Sequence, residues 1–236
     1  LLMQKGADIE AKDNDGCAAL HHASAHGHAA VVELLLQKGA DIEAKGYEDC
    51  TALHLASGEE EAPLVELLLQ KGADIEAKNI KGSTALHFAS IQGHAAVVEL
   101  LMQKGADIKA KDKHGSTALL SASRQGHAAV VELLMQKGAD IEAKNNHGYT
   151  ALHVASIQRE APIVELLIQK GADIEAKNKR GYTALHLASI EGEAQVVELL
   201  IQKGADIEAK GNDRSTALHV ASNQGKAQVV ELLMLK

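Results

Sequence analysis

Tryptophan is absent from the 236 residues, phenylalanine occurs once and tyrosine three times, so aromatic side chains make up only 2% of the chain. A core without large rings has to be built from Leu, Val, Ile and Ala, whose modest size lets helices approach closely. Basic charge is also short: 24 Lys and Arg stand against 32 Asp and Glu, for a formal net charge of -8. A concentrated basic stripe for tracking phosphates is therefore missing, and no nucleic-acid partner is expected. No apolar run approaches the roughly 18 to 20 residues of a membrane span, and no signal-peptide pattern opens the chain. These absences lead to the expectation of a soluble, intracellular, cytoplasmic protein with no membrane partner. Cysteine occurs only at Cys17 and Cys50.

What the chain does have is repetition. A Gly-Ala-Asp-Ile stretch begins at Gly6, Gly39, Gly72, Gly105, Gly138, Gly171 and Gly204, always 33 residues apart. A fixed period of this length marks a stacked array, in which no unit buries its apolar face alone. Whole units run 13–45, 46–78, 79–111, 112–144, 145–177 and 178–210, with partial units at 1–12 and 211–236. One domain over 1–236 is expected, because a stacked array lengthens one continuous core. Neither end carries a polar terminal unit, so Leu1, Leu2, Met3, Leu233, Met234 and Leu235 are expected to face solvent or a neighbour. The two cysteines hold equivalent positions in consecutive units. Stacked helices lie about 8 to 10 Å apart and a disulfide needs Cα atoms within about 7 Å, so two free thiols are expected, as suits a reducing compartment.

Within one unit, Thr84 suits a helix N-cap. A short helix is expected from Ala85 towards Gln92, ended by Gly93. A second helix should run from Ala95 to Lys104, with Gly105 as its stop. The last heptad and the next Asp/Asn-x-x-Gly segment should form an extended strand, a tight turn and a return.

The unit, with Thr-Ala-Leu-His-x-Ala-Ser followed by Gly-His-x-x-Val-Val-Glu-Leu-Leu, resembles an ankyrin repeat over the whole chain. The resemblance implies an all-α repeat solenoid of stacked helix-turn-helix units with projecting β-hairpin-like loops, whose fingertips and short helices line a concave face. It also implies a binder of other proteins rather than a catalyst. Natural arrays and engineered ankyrin-type binders would both read this way. Some positions depart from the family pattern. Ala85, Ala151 and Ala184 stand where the signature has Pro, and Ala18 removes the hydroxyl cap from the first unit. Leu120 and Ser121 replace the signature His and an apolar residue, which should remove a link between neighbouring units. Glu10 and its equivalents replace the frequent Asn, so asparaginyl hydroxylation is not expected.

Residues repeated in every copy are explained by stacking; those that vary at the tips and short helices carry the information about a partner. All three tyrosines, Tyr47, Tyr149 and Tyr182, fall there, joined by Ile80, Ile91, Ile157 and Ile190. Tyrosine beside an apolar stripe suits a protein interface. The competing explanation is that a Tyr before the Thr, or Ile91 beside His87 and Phe88, simply packs on the next unit. Charge is polarised along these positions: Asp13, Asp15, Glu48, Asp49, Glu59, Glu60 and Glu61 early, then Lys81, Lys113, Arg124, Arg159, Lys179 and Arg180 with His114 and His147. A partner with an apolar stripe and an acidic flank should dock on units three to six, with Arg124 and Lys179 choosing the register. Units two and seven have Asp49 and Arg214 in place of the turn-closing Gly, which predicts a different turn geometry.

Cys17, His22 and His26 sit at a spacing that could grip zinc, but His21 and His28 belong to the repeated signature. No metal site and no cofactor is expected. Every Ser, His and Asp that might act in catalysis recurs at stacking positions, so no enzyme is expected. The leading reading is a protein-recognition module; the alternative is a structural spacer that self-associates through its uncovered ends.

Overall fold

The computed structural model describes residues 6–235. Fourteen α-helices form among them: α1 (Ala19–Ala25), α2 (Ala29–Gln37), α3 (Ala52–Ser57), α4 (Ala62–Gln70), α5 (Ala85–Gln92), α6 (Ala95–Gln103), α7 (Ala118–Arg124), α8 (Ala128–Gln136), α9 (Ala151–Ile157), α10 (Ala161–Gln169), α11 (Ala184–Glu191), α12 (Ala194–Gln202), α13 (Ala217–Asn223) and α14 (Ala227–Met234). Each 33-residue unit supplies one short and one longer helix, as the spacing predicts. By contacts the chain divides into two halves, one ending at Lys113 and the other starting at His114.

In the first half the short helices α1, α3 and α5 stack on one another and the longer α2, α4 and α6 stack beside them; each short helix also packs on its own longer partner. The second half repeats this two-layer plan with α7, α9, α11 and α13 against α8, α10, α12 and α14. The longer helices bury residues spaced like Val97, Val98 and Leu101, one stripe of the helix. The short ones bury a wider face: Ala85, Leu86, His87, Ala89 and Ser90 in α5. Ala56, Ala89, Ala155 and Ala188 are wholly buried, and no larger side chain would leave room for the next helix at that distance.

Most of the short helices start on a capping box in which threonine and the signature histidine serve each other. At Thr84 the backbone amide donates to His87 Nδ1 at 3.2 Å and the hydroxyl meets the same nitrogen at 2.9 Å. The same box closes at Thr51, Thr150, Thr183 and Thr216. Because Nδ1 accepts from an amide, the ring proton sits on Nε2, which donates to a carbonyl of the following loop. His54 reaches Ser83 at 2.9 Å, His153 reaches Tyr182 at 3.0 Å and His186 reaches Ser215 at 3.0 Å. In α7 that position is Leu120, fully buried and without a donor, so this link is lost as expected.

Glutamates at the place of the family's Asn tie successive loops together instead. Glu10, Glu43 and Glu76 accept the amides of Asp41, Asp74 and Asp107 in the first half, at 2.9, 2.8 and 2.7 Å. Glu142 and Glu175 do the same for Asp173 and Asp206 in the second, at 2.9 and 2.8 Å.

Three expectations need correction. The strand does not form: among the described residues the loops are turns, joined tip to tip by single bonds such as Ile80 N–H to the Glu48 carbonyl at 2.8 Å. A single bond per unit is too little for a ladder. The turn in unit seven is not different. Arg214 holds the left-handed backbone at φ 62, against 75 at Gly82, and the same pair of turn bonds closes both loops. In unit two the expected difference is present: the same two bonds close the loop, but residues 47–49 form a 3-10 turn with Glu48 left-handed at φ 54 beside Asp49 at φ 59. Finally, Leu233 is only 6% exposed, while Met234 and Leu235 are 71% and 81% exposed. Leu233 falls on the buried stripe of α14 with Val229, four residues earlier. Leu1, Leu2 and Met3 lie outside the described residues.

Candidate protein-interaction surface

In the second half, the loops and short helices of three consecutive units bring together a hydrophobic cluster. Tyr182, Leu187 and Val220 are buried at its centre, and Tyr149, Ile157 and Ile190 pack against them half-buried. Ile157 ends α9 and Ile190 is the penultimate residue of α11, one period apart, so the isoleucines form a row. Arg124 precedes them in that row as the exposed last residue of α7.

Tyr182 is the most constrained member. Its hydroxyl donates to Asp213 Oδ2 at 2.8 Å, its ring stacks on the His186 imidazole with centroids 5.1 Å apart, and the Arg180 guanidinium sits 5.1 Å from its centroid. The amide donates to Asn178 Oδ1 at 3.0 Å, and the carbonyl accepts from His153. With 5% of its surface exposed, Tyr182 is a packing residue with little area for a partner. Burial, and then the carboxylate of Asp213, raise its phenol above the ordinary range. Asp213 is lowered by the Ser215 amide and the Tyr182 hydroxyl.

Tyr149 is less enclosed. Its ring lies 6.1 Å from His147 and 6.0 Å from His153. Burial pushes His153 down to about 4, outweighing the Tyr182 carbonyl that favours its proton; His186 is lowered for the same reason. Lys179 is exposed on the neighbouring tip, where its amide donates to the His147 carbonyl at 3.1 Å. The second half therefore assembles Tyr149, Ile157 and Ile190, borders them with Arg124 and Lys179, and withdraws Tyr182 into the core.

The remaining candidates lie in the first half. Tyr47 and Ile80 are 61% and 52% exposed on adjacent loops. Ile91 is half-buried near the end of α5. Leu187 and Val220, both central to the cluster, escaped the sequence reading. Their position, directly after the signature His, varies as Leu55, Phe88, Ser121, Val154, Leu187 and Val220, and that variation was the available signal.

The histidine group near Cys17 is dispersed into separate bonds. His22 Nε2 lies 2.7 Å from Asp13 Oδ2, His26 Nδ1 donates to the His22 carbonyl at 2.8 Å, and buried His21 meets the Ala44 carbonyl at 2.9 Å. Among the described residues no group of three His, Cys, Asp or Glu is arranged to hold a metal. Both cysteines are free thiols, and burial raises that of Cys50. No helix among the described residues is long and apolar enough to cross a membrane.

A sequence model of the family described as ankyrin repeats, in groups of three copies, matches residues 1–79, 45–112, 110–178 and 175–236. The chain belongs to the ankyrin-repeat family. No curated protein matches it. Ankyrin repeats are generally protein-protein interaction modules and are typically not catalytic, and in this array the cluster just described is built from positions that differ between repeats.

Proposed function

We propose that this ankyrin array is a recognition module that captures another protein along the row of short helices in its second half. Tyr149, Ile157 and Ile190 supply the apolar contact, and Arg124 and Lys179 select a segment with an acidic flank. The observation that carries this reading is the half-buried state of the three side chains on a fixed hydrophobic cluster. Side chains already held by packing lose little freedom on binding, and Tyr contributes large area with few rotatable bonds. The mechanism is binding to a preformed surface, without catalysis.

The test is an affinity capture from cell lysate with the parent beside a Tyr149→Ser, Ile157→Ser, Ile190→Ser variant, with Tyr182 kept because it is structural. Circular dichroism controls for folding. A protein retained by the parent and lost by the folded variant supports the reading. Capture of the same proteins by both, or of none by either, counts against it.

A further inference from the structure

Along the short helices of the second half, one repeat departs from the others at four positions at once. Ser116, Ser121 and Arg124 stand in or beside α7 where the next repeat has Tyr149, Val154 and Ile157, and the one after it Tyr182, Leu187 and Ile190. Val154 and Leu187 are buried, whereas Ser121 is partly open and Arg124 exposed. The apolar row therefore stops at α9. The fourth change is Leu120 in place of the signature His.

The consequence differs from seam to seam. Between α9 and α11, His153 Nε2 donates to the Tyr182 carbonyl at 3.0 Å and Arg159 pairs with Glu193 at 2.7 Å. Between α11 and α13, His186 donates to the Ser215 carbonyl at 3.0 Å and the Tyr182 hydroxyl to Asp213 at 2.8 Å. Between α7 and α9, among the described residues, the counterparts of these links are missing. Leu120 offers no donor, and the Tyr149 carbonyl holds the Asn145 amide alone, at 3.1 Å. The tip bond from the Asn146 amide to the His114 carbonyl, 2.8 Å, is kept, as the other two seams keep theirs.

The longer-helix side of the same seam is complete. Val131 and Leu134 of α8 and Val164 and Leu167 of α10 are wholly buried, Lys170 pairs with Glu132 at 3.6 Å, and Glu142 accepts the Asp173 amide at 2.9 Å. The weakness is confined to one side.

We infer that the second half contains a joint, at which α7 parts reversibly from α9 while α8 stays packed on α10. In a stacked array stability is a sum of neighbour terms, so the poorest interface opens at the lowest free energy. Arg124 lies on one side of the joint and Ile157 and Ile190 on the other. Opening therefore changes the spacing between the basic residue and the apolar row of the proposed recognition surface. The joint itself needs no partner and is measured without one, so failure of the recognition reading leaves it standing.

The test is hydrogen exchange followed by NMR on the isotope-labelled full chain. Ala122, Ala155 and Ala188 are equivalent, wholly buried alanines of α7, α9 and α11, and their amides compare the three repeats directly. The Ala122 amide should exchange about tenfold faster than the other two. Leu120→His restores a donor towards the Tyr149 carbonyl, and Ser121→Val extends the apolar row; each should slow Ala122 about fivefold. Circular dichroism controls for folding, and Ser121→Val carries the test if the buried imidazole unfolds α7. His153→Leu should create a second joint and speed Ala155. Equal rates at the three alanines in the parent, an Ala122 rate that neither folded variant slows, or an Ala155 rate unchanged by His153→Leu would overturn the inference.

Discussion

Replacing His153 by Leu should flatten the acid sensitivity of this protein while lowering its stability at neutral pH. The neutral ring is held in one tautomer: Nδ1 accepts from the Thr150 amide at 3.2 Å and Nε2 donates to the Tyr182 carbonyl at 3.0 Å. A second proton would put a donor against a donor and charge a buried ring. The folded pKa of about 4 lies below the ordinary 6.5, so the unfolded chain takes up the proton first. Stability from this site is complete above pH 6.5 and is lost as the pH falls towards 4. At about 1.4 kcal/mol per pH unit, that gap is worth about 3 kcal/mol. His54 and His186 are lowered in the same direction by burial and add to the loss. The substitution copies what the array already does at Leu120. At pH 7 it should cost about 1 to 3 kcal/mol, because the Thr150 amide and Tyr182 carbonyl lose their partner. Denaturant midpoints between pH 7 and pH 4, at fixed ionic strength, give the slope for parent and variant; carboxylates titrate in both and cancel in the difference. An identical slope in the two proteins would refute the reasoning, as would a His153 ring resonance that titrates near 6.5.

Three further outcomes follow from the same geometry. Arg214→Gly should stabilise by about 1 kcal/mol in thermal melting, because it relieves a left-handed backbone at φ 62 in a turn whose bonds are otherwise intact. Ser57→Ala should be neutral or raise the melting temperature, since that buried hydroxyl has no partner, whereas Ser156→Ala should cost about 1 kcal/mol by removing a 2.8 Å bond to the Leu152 carbonyl. Tyr182→Phe should cost about 1 kcal/mol by losing the 2.8 Å bond, Asp213→Ala more because it also loses the Ser215 amide at 3.0 Å, and the double variant little more than Asp213→Ala alone, as a mutant cycle would measure.

The repeat was legible because stacking makes the same demand on every copy. Ala85 to Gln92, the Gly93 stop and the start at Ala95 were set by residues within the helix itself, through capping and side-chain period. Features that depend on the next repeat were harder to read. Tyr149 and Tyr182 look alike in sequence, yet only Tyr182 has an aspartate 31 residues ahead to take its hydroxyl; the position equivalent for Tyr149 is Arg180. The turn at Arg214 misled for a related reason. Neighbouring helices fix where the loop must begin and end, so the backbone keeps the glycine conformation and absorbs the strain. The candidate row itself was visible as positions that vary where everything else repeats, but which of its members face outward was decided by packing.

The central claim, recognition along the second half, is tested most directly by site-specific photo-crosslinking with p-benzoylphenylalanine placed at Ile157, Ile190 or, as a control on the longer-helix layer, Glu198 of α12. The account predicts one adduct of the same mass at both isoleucine positions and none at Glu198. Adducts at Glu198 alone, or equally at all three positions, would contradict it.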